Sequence, residues 1–234
     1  MKNPFYFETT CETLQPNWIQ QPISAGMNFI TVMALLLIGI IYRSSLYQHP
    51  ILIALLSSFI VFETWHFLSH ARHGWLPKEN QINITHALFY GIIIALALFD
   101  FQKGYLQSPS SLLILAFLIL LDFYTWFRVR GTWMIVSGVC IALYLVLLMI
   151  PHAPPRLYPF LIVISFFIIF AMILVSLEAR LCPIVKGFPL HALTEICVLL
   201  VFILAALLFI YWCKESRFHR LKYFQQHGKN RRDS

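Results

Sequence analysis

His66-Phe67-Leu68-Ser69-His70 and His191-Ala192-Leu193-Thr194-Glu195 each place two metal-ligating side chains one helical turn apart inside an apolar stretch. Ionisable groups are costly in lipid, so each one retained there is a functional hypothesis by default. Two such pairs on separate segments point to a metal ion held between membrane helices. Glu63 shares a helical face with His66 and His70 by i, i+3, i+4 spacing, where it could orient an imidazole or take a proton. Imidazole nitrogens with a carboxylate suit zinc, or iron when more positions are filled. His86, near the start of another apolar stretch, is the remaining candidate, either as a ligand or as a proton-transfer group.

The elements that must carry these residues follow from composition. The chain has 234 residues, of which 59% are hydrophobic and only 12% charged, with a mean hydropathy of +0.75. A soluble domain carries about 25% charged residues. Seven apolar stretches occur, at 23–42, 51–70, 84–101, 112–127, 134–150, 158–177 and 192–213. Most approach the ~20 residues that a helix needs to cross hydrocarbon. Backbone groups cannot stay unpaired in lipid, and the alternation of a barrel strand is missing, so the stretches are predicted to be helices. The expected fold is an all-α integral membrane protein, a seven-transmembrane-helix bundle at 23–213. A polar segment at 1–22 precedes it and a basic tail at 214–234 follows. Only Arg128 to Thr132 part the fourth and fifth stretches, which predicts a tight helical hairpin.

Charge gives the expected orientation. The first 22 residues lack the basic and apolar regions of a signal peptide. Residues 214–234 hold seven of the 17 Lys and Arg, which places the tail on the cytoplasmic side by the positive-inside rule and the N-terminus outside after seven crossings. That membrane is expected to be a bacterial inner membrane or a eukaryotic endomembrane. The basic tail reads as a topology anchor, and nothing else supports nucleic-acid binding. On this topology His70, His86 and His191 all lie at the outer end of the bundle. His66 and Glu195 each sit about 6 Å deeper than their partner histidine, at ~1.5 Å per residue, so the two pairs match in depth.

The other titratable residues carry less. His49, His73, His152, His219 and His227 fall in loops or the tail, and Asp122 lies among Phe123, Tyr124 and Trp126, as an interfacial residue would. Cys140, Cys197 and Cys213 lie within or at the ends of apolar stretches as small hydrophobes. Cys11 and Cys182 both fall on the expected outer face, where an oxidising compartment would permit a disulfide between them. There is no CxxC pair, which argues against a cysteine zinc knuckle.

In their order along the chain these landmarks resemble the alkaline ceramidase family, within the CREST superfamily of seven-helix membrane hydrolases, over nearly the whole length. Cys11-Glu12 stands ahead of the first helix, a histidine ends the second and an ionisable residue opens the third. Glu178 precedes Cys182 by four residues, and His191-Ala192-x-x-Glu195 opens the seventh helix, where the family reads His-Ala-x-x-His. The resemblance implies a bridge between Cys11 and Cys182 and a metal held by His70, His191 and either Glu195 or His86. Departures are equally specific. His66 occupies the family's serine position, His86 its aspartate position and Glu195 its second seventh-helix histidine. Residues 72–81 form a longer insert, and of the family's acidic N-terminal calcium ligands Glu12 is the main survivor.

The implied activity is a zinc-dependent intramembrane hydrolase that cleaves the amide or ester bond of a ceramide-like or other acylated membrane lipid. His66, Glu63 and His86 would handle protons. A non-catalytic lipid- or metal-binding protein that keeps the pocket is the alternative, favoured by the exchanged serine and aspartate. The spacing His66-x-x-x-His70-x-x-His73 also bears a superficial likeness to membrane di-iron desaturases, which need about eight cytoplasm-facing histidines and are therefore the weaker reading. No internal repeat marks a transporter.

Overall fold

A computed structural model describes residues 18–19, 21–72, 76–104, 106, 108–128, 133–182, 184 and 190–230. For 78, 79, 133, 134, 179 and 216–230 it describes the backbone alone. Every regular element among them is helical: α1 (Pro22–Ile41), α2 (Arg43–Gln48), α3 (Pro50–Ala71), α4 (Lys78–Lys103), α5 (Pro109–Arg128), α6 (Trp133–Tyr144), α7 (Tyr158–Leu181) and α8 (Leu190–Asn230). Seven helical spans are long and apolar enough to cross a membrane, at Pro22–Ile41, Pro50–Ala71, Asn80–Lys103, Pro109–Arg128, Ile135–His152, Pro155–Glu178 and Leu190–Glu215. The chain is a multi-pass, seven-span helical bundle, as its hydropathy predicts.

Local chemistry sets the helix limits. Prolines stand in the first turns of α1, α3 and α7, where the missing N–H costs nothing because that donor would be unpaired anyway. Gly104 ends α4 in the left-handed conformation (φ 80°), and its N–H bonds the Phe101 carbonyl at 3.0 Å. Two features lie outside the hydropathy pattern. The six-residue α2 turns the chain between α1 and α3. The fifth span is not α-helical throughout: α6 passes into a π turn at Leu145–Met149 and a 3₁₀ turn at Ile150–His152 before Pro154 and Pro155. The basic segment expected as a tail from 214 continues α8 without a break to Asn230.

Packing is inverted relative to a soluble protein. Phe29, Ile30, Leu37 and Ile40 of α1 and Phe117 and Leu120 of α5 point outward, whereas Glu63, Asn28, Asp100 and Glu195 are buried. Helix α8 packs on α1, α3 and α7, and α3 bridges α1 and α4, so α8 and α3 meet in the interior. A cluster of Phe59, Phe62, Phe99, Phe202, Phe209 and Trp212 fills the middle of the bundle. Lipid tails are as apolar as these side chains, so association rests on close packing and on interhelical hydrogen bonds worth about 0.6–2 kcal/mol each. Gly138 shows how close the packing is, since a Cβ there would lie 2.5 Å from Met172 Sδ of α7.

Candidate metal centre

Helices α3 and α8 bring their polar pairs face to face. His70 Nε2 and His191 Nε2 are 3.3 Å apart. Glu195 Oε1 lies 3.5 Å from the first and 3.1 Å from the second. Two ligands ~2.0–2.1 Å from a tetrahedral zinc are separated by ~3.3 Å, so this triangle has the edges of one face of such a site. All three residues are buried.

The outer nitrogens of both imidazoles are already committed. His70 Nδ1 donates to Gln21 Oε1 at 2.5 Å, and Gln21 is further tied by its backbone N–H to the His70 carbonyl at 3.2 Å. His191 Nδ1 donates to Glu178 Oε2 of α7 at 2.9 Å. With Nδ1 protonated, each neutral ring aims a bare Nε2 lone pair at the same point as the Glu195 carboxylate. Three acceptors converging in a low-dielectric interior repel one another unless a metal ion or a shared proton lies among them. A carboxylate or amide oxygen behind a ligating histidine is the usual means of fixing its tautomer and raising its basicity. The donor set fits a divalent metal such as zinc.

A second group adjoins the first. One ligand atom each from Glu63, His66 and Glu195 lie within 4.8 Å of one another, again fully buried. His66 Nδ1 stands 4.0 Å from Glu195 Oε2, and its ring rests against Phe62 at 4.9 Å. With its nitrogen facing the acids, the Asn28 amide donates to Glu195 Oε2 at 2.5 Å and to Glu63 Oε2 at 3.3 Å. Asn28 belongs to a stripe of buried polar residues on α1, Ser24, Asn28 and Thr31, that continues from Gln21 at helical spacing.

The structure thus gathers Glu63, His66, His70, His191 and Glu195, and leaves His86 out. The expectation that His86 ligates a metal or acts catalytically beside the others is corrected by its surroundings. Its ring stacks on Trp126 at 3.8 Å, and its Nε2 lies 3.5 Å from Asp122 Oδ2. Asp122 is correspondingly not interfacial but buried, accepting a hydrogen bond from Ser137. Helix α4 turns this residue toward α5, and depth along the membrane could not reveal that rotation. Cys182 is disulfide-bonded, Cys140, Cys197 and Cys213 are free thiols, and Cys11 lies outside the described residues.

Beneath the polar groups runs a cavity with about 1160 Å³ of empty space, part of it open to the surroundings. His66, His191 and Glu195 border one end and Leu208 and Phe209 the other, with Phe89 and Ile168 among the apolar walls. The eighteen residues from His191 to Phe209 correspond to roughly 27 Å of helix.

Gln21, Asn28 and Glu178 support the site without belonging to any metal-ligand spacing. Glu178→Gln, which keeps the shape but weakens the bond to His191, is expected to lower metal affinity by about 10–100-fold. Competition against a fluorescent zinc chelator measures it, and unchanged affinity would deny Glu178 this role. No family model, curated protein or solved structure matches the chain.

Proposed function

We propose that the protein is an intramembrane metal-dependent hydrolase, with zinc as the metal, that cleaves the amide or ester linkage of an acylated lipid, as its resemblance to alkaline ceramidases implies. The observation that carries this reading is the convergence of His70 Nε2, His191 Nε2 and Glu195 Oε1 at the head of a long apolar cavity. Ligand triads of two histidines and one glutamate leave a fourth position open for chemistry. A zinc ion bound there would polarise the scissile carbonyl and bring the pKa of water toward 7.

The chain's own residues account for the rest. Gln21 and Glu178 hold the two imidazoles in the ligating tautomer. Glu63 and His66 stand beside Glu195, with His66 in the cavity wall, and receive the proton released as water adds to the carbonyl carbon. They return it to the leaving nitrogen or oxygen as the acyl bond breaks, which completes a balanced hydrolysis. The cavity takes the acyl chain and excludes water from it, while the polar linkage stays level with His191. The exchange of the family's serine for His66 and aspartate for His86 alters the proton-handling groups but leaves a metal-ligand set intact. The basic segment from 214 supports a cytoplasmic C-terminus, with the site near the opposite surface.

The test is release of fatty acid from a panel of ceramides and acyl-ester lipids by purified protein in nanodiscs, before and after chelation. Metal-dependent turnover of at least one substrate is expected. A protein that binds zinc stoichiometrically yet releases no product would favour a lipid-binding role for the same pocket.

A further inference from the structure

A second set of ligand atoms is left over once one metal ion is placed on the His70–His191–Glu195 face. Glu63 and Glu195 are buried side by side, and no lysine or arginine is buried among the described residues. A carboxylate in a membrane interior is either protonated or held against a cation.

The groups available to hold one are in place. Glu63 Oε1 and both ring nitrogens of His66 are buried and make no hydrogen bond. At 4.0 Å, His66 Nδ1 and Glu195 Oε2 are too far apart for a hydrogen bond, yet within reach of an ion with ~2.1 Å bonds to each. Glu195 therefore offers one oxygen to each group: Oε1 toward His70 and His191, Oε2 toward His66. A carboxylate that divides its oxygens in this way is the bridge of a two-metal centre, whose ions typically lie ~3.5–4 Å apart.

We propose that Glu63, His66 and Glu195 form a second divalent-cation site, bridged through the Glu195 carboxylate to the site of His70 and His191. The inference rests on the metal reading of that first site. With both positions filled, Glu63 and His66 act as ligands in place of the proton-transfer role they have beside a single metal, and the pair of cations would hold the attacking water and the carbonyl oxygen of the lipid linkage. A proton shared among Glu63, His66 and Glu195 is the competing occupant of this space, and metal counting separates the two.

Full-length protein in nanodiscs is stripped with chelator, reloaded with zinc alone and counted by elemental mass spectrometry. About two zinc ions per chain are expected for the unaltered protein, and about one for Glu63→Gln and for His66→Gln. One zinc per chain that disappears in His191→Ala would overturn the second site and leave the first standing. No zinc at all would overturn both. Two ions retained in Glu63→Gln and His66→Gln would overturn the assignment to these residues. Should either variant misfold, manganese-loaded unaltered protein decides by electron paramagnetic resonance. A spin-coupled pair is expected, and the spectrum of isolated ions would overturn the bridge.

Discussion

Replacing His191 and Glu195 together by alanine is expected to abolish stoichiometric metal binding and to reduce lipid hydrolysis about a thousand-fold or more. The expectation follows from what each side chain supplies. His191 Nε2 and Glu195 Oε1 are two of the three atoms in the ligating triangle, and Glu195 also presents its second oxygen to His66. Electrostatic stabilisation of a developing oxyanion is worth ~10²–10³ when a single hydrogen-bond donor is lost, and loss of the cation removes more than one donor's share. The bundle itself is expected to survive. Both positions lie in the first turns of α8, whereas Phe202, Ala206 and Trp212 anchor the helix further along in the core, Phe202 against Phe59 of α3 and Trp212 against Phe99 of α4. Elemental analysis of monodisperse protein, alongside fatty-acid release, measures both effects. Full metal content in the double variant would remove the ground for every functional statement made above.

Ala205→Phe is expected to change which lipids are accepted without touching the metal. Ala205 lines the cavity ten residues beyond Glu195 on α8, roughly 15 Å deeper. A phenyl ring there closes the far end and displaces the last methylenes of a long acyl chain. A chain too long for the shortened cavity holds its linkage out of line with the metal, and a misplacement of about 1 Å can cost ~100-fold in kcat/KM. Substrates with about eight acyl carbons should be processed as before, while those with about sixteen should suffer the full loss. Equal losses for short and long chains would mean that the cavity does not receive the acyl group. Because the ring enters existing space, the overpacking cost that a filled core imposes is reduced.

The spans and the pairing of His70 with His191 and Glu195 could be read from residue order because two simple rules governed them. Apolar length marks a crossing, and a spacing of four aligns two ligands on one helical face. Depth matching then placed both pairs at the same level. What those rules cannot supply is the rotation of one helix against its neighbours. His86 has the right depth, yet it faces Trp126 and Asp122, and Asp122 for its part is buried by the hairpin partner α6 rather than exposed to an interface. The supporting acceptors were hidden for another reason. Gln21 lies 49 positions from His70 and belongs to no recurring spacing, and Glu178, a landmark four residues before Cys182, carries no sign of its bond to His191, so only packing reveals these two contacts. Asn28 carried a faint signal, as part of the polar stripe of Ser24, Asn28 and Thr31 in an apolar helix. The π turn at Leu145–Met149 is built wholly from apolar side chains and left no trace in hydropathy.

The donors of the triangle are separated by 121 positions along the chain, His70 on an early helix and His191 on the last. During synthesis, therefore, no cation can be captured until the final span has been threaded into the bilayer beside the second. Metal uptake is a late event in biogenesis, and the ion acts as a clasp between segments that left the ribosome far apart in time. Cells starved of the metal would then accumulate chains that are inserted but unfastened, and these are the forms a membrane protease should meet first.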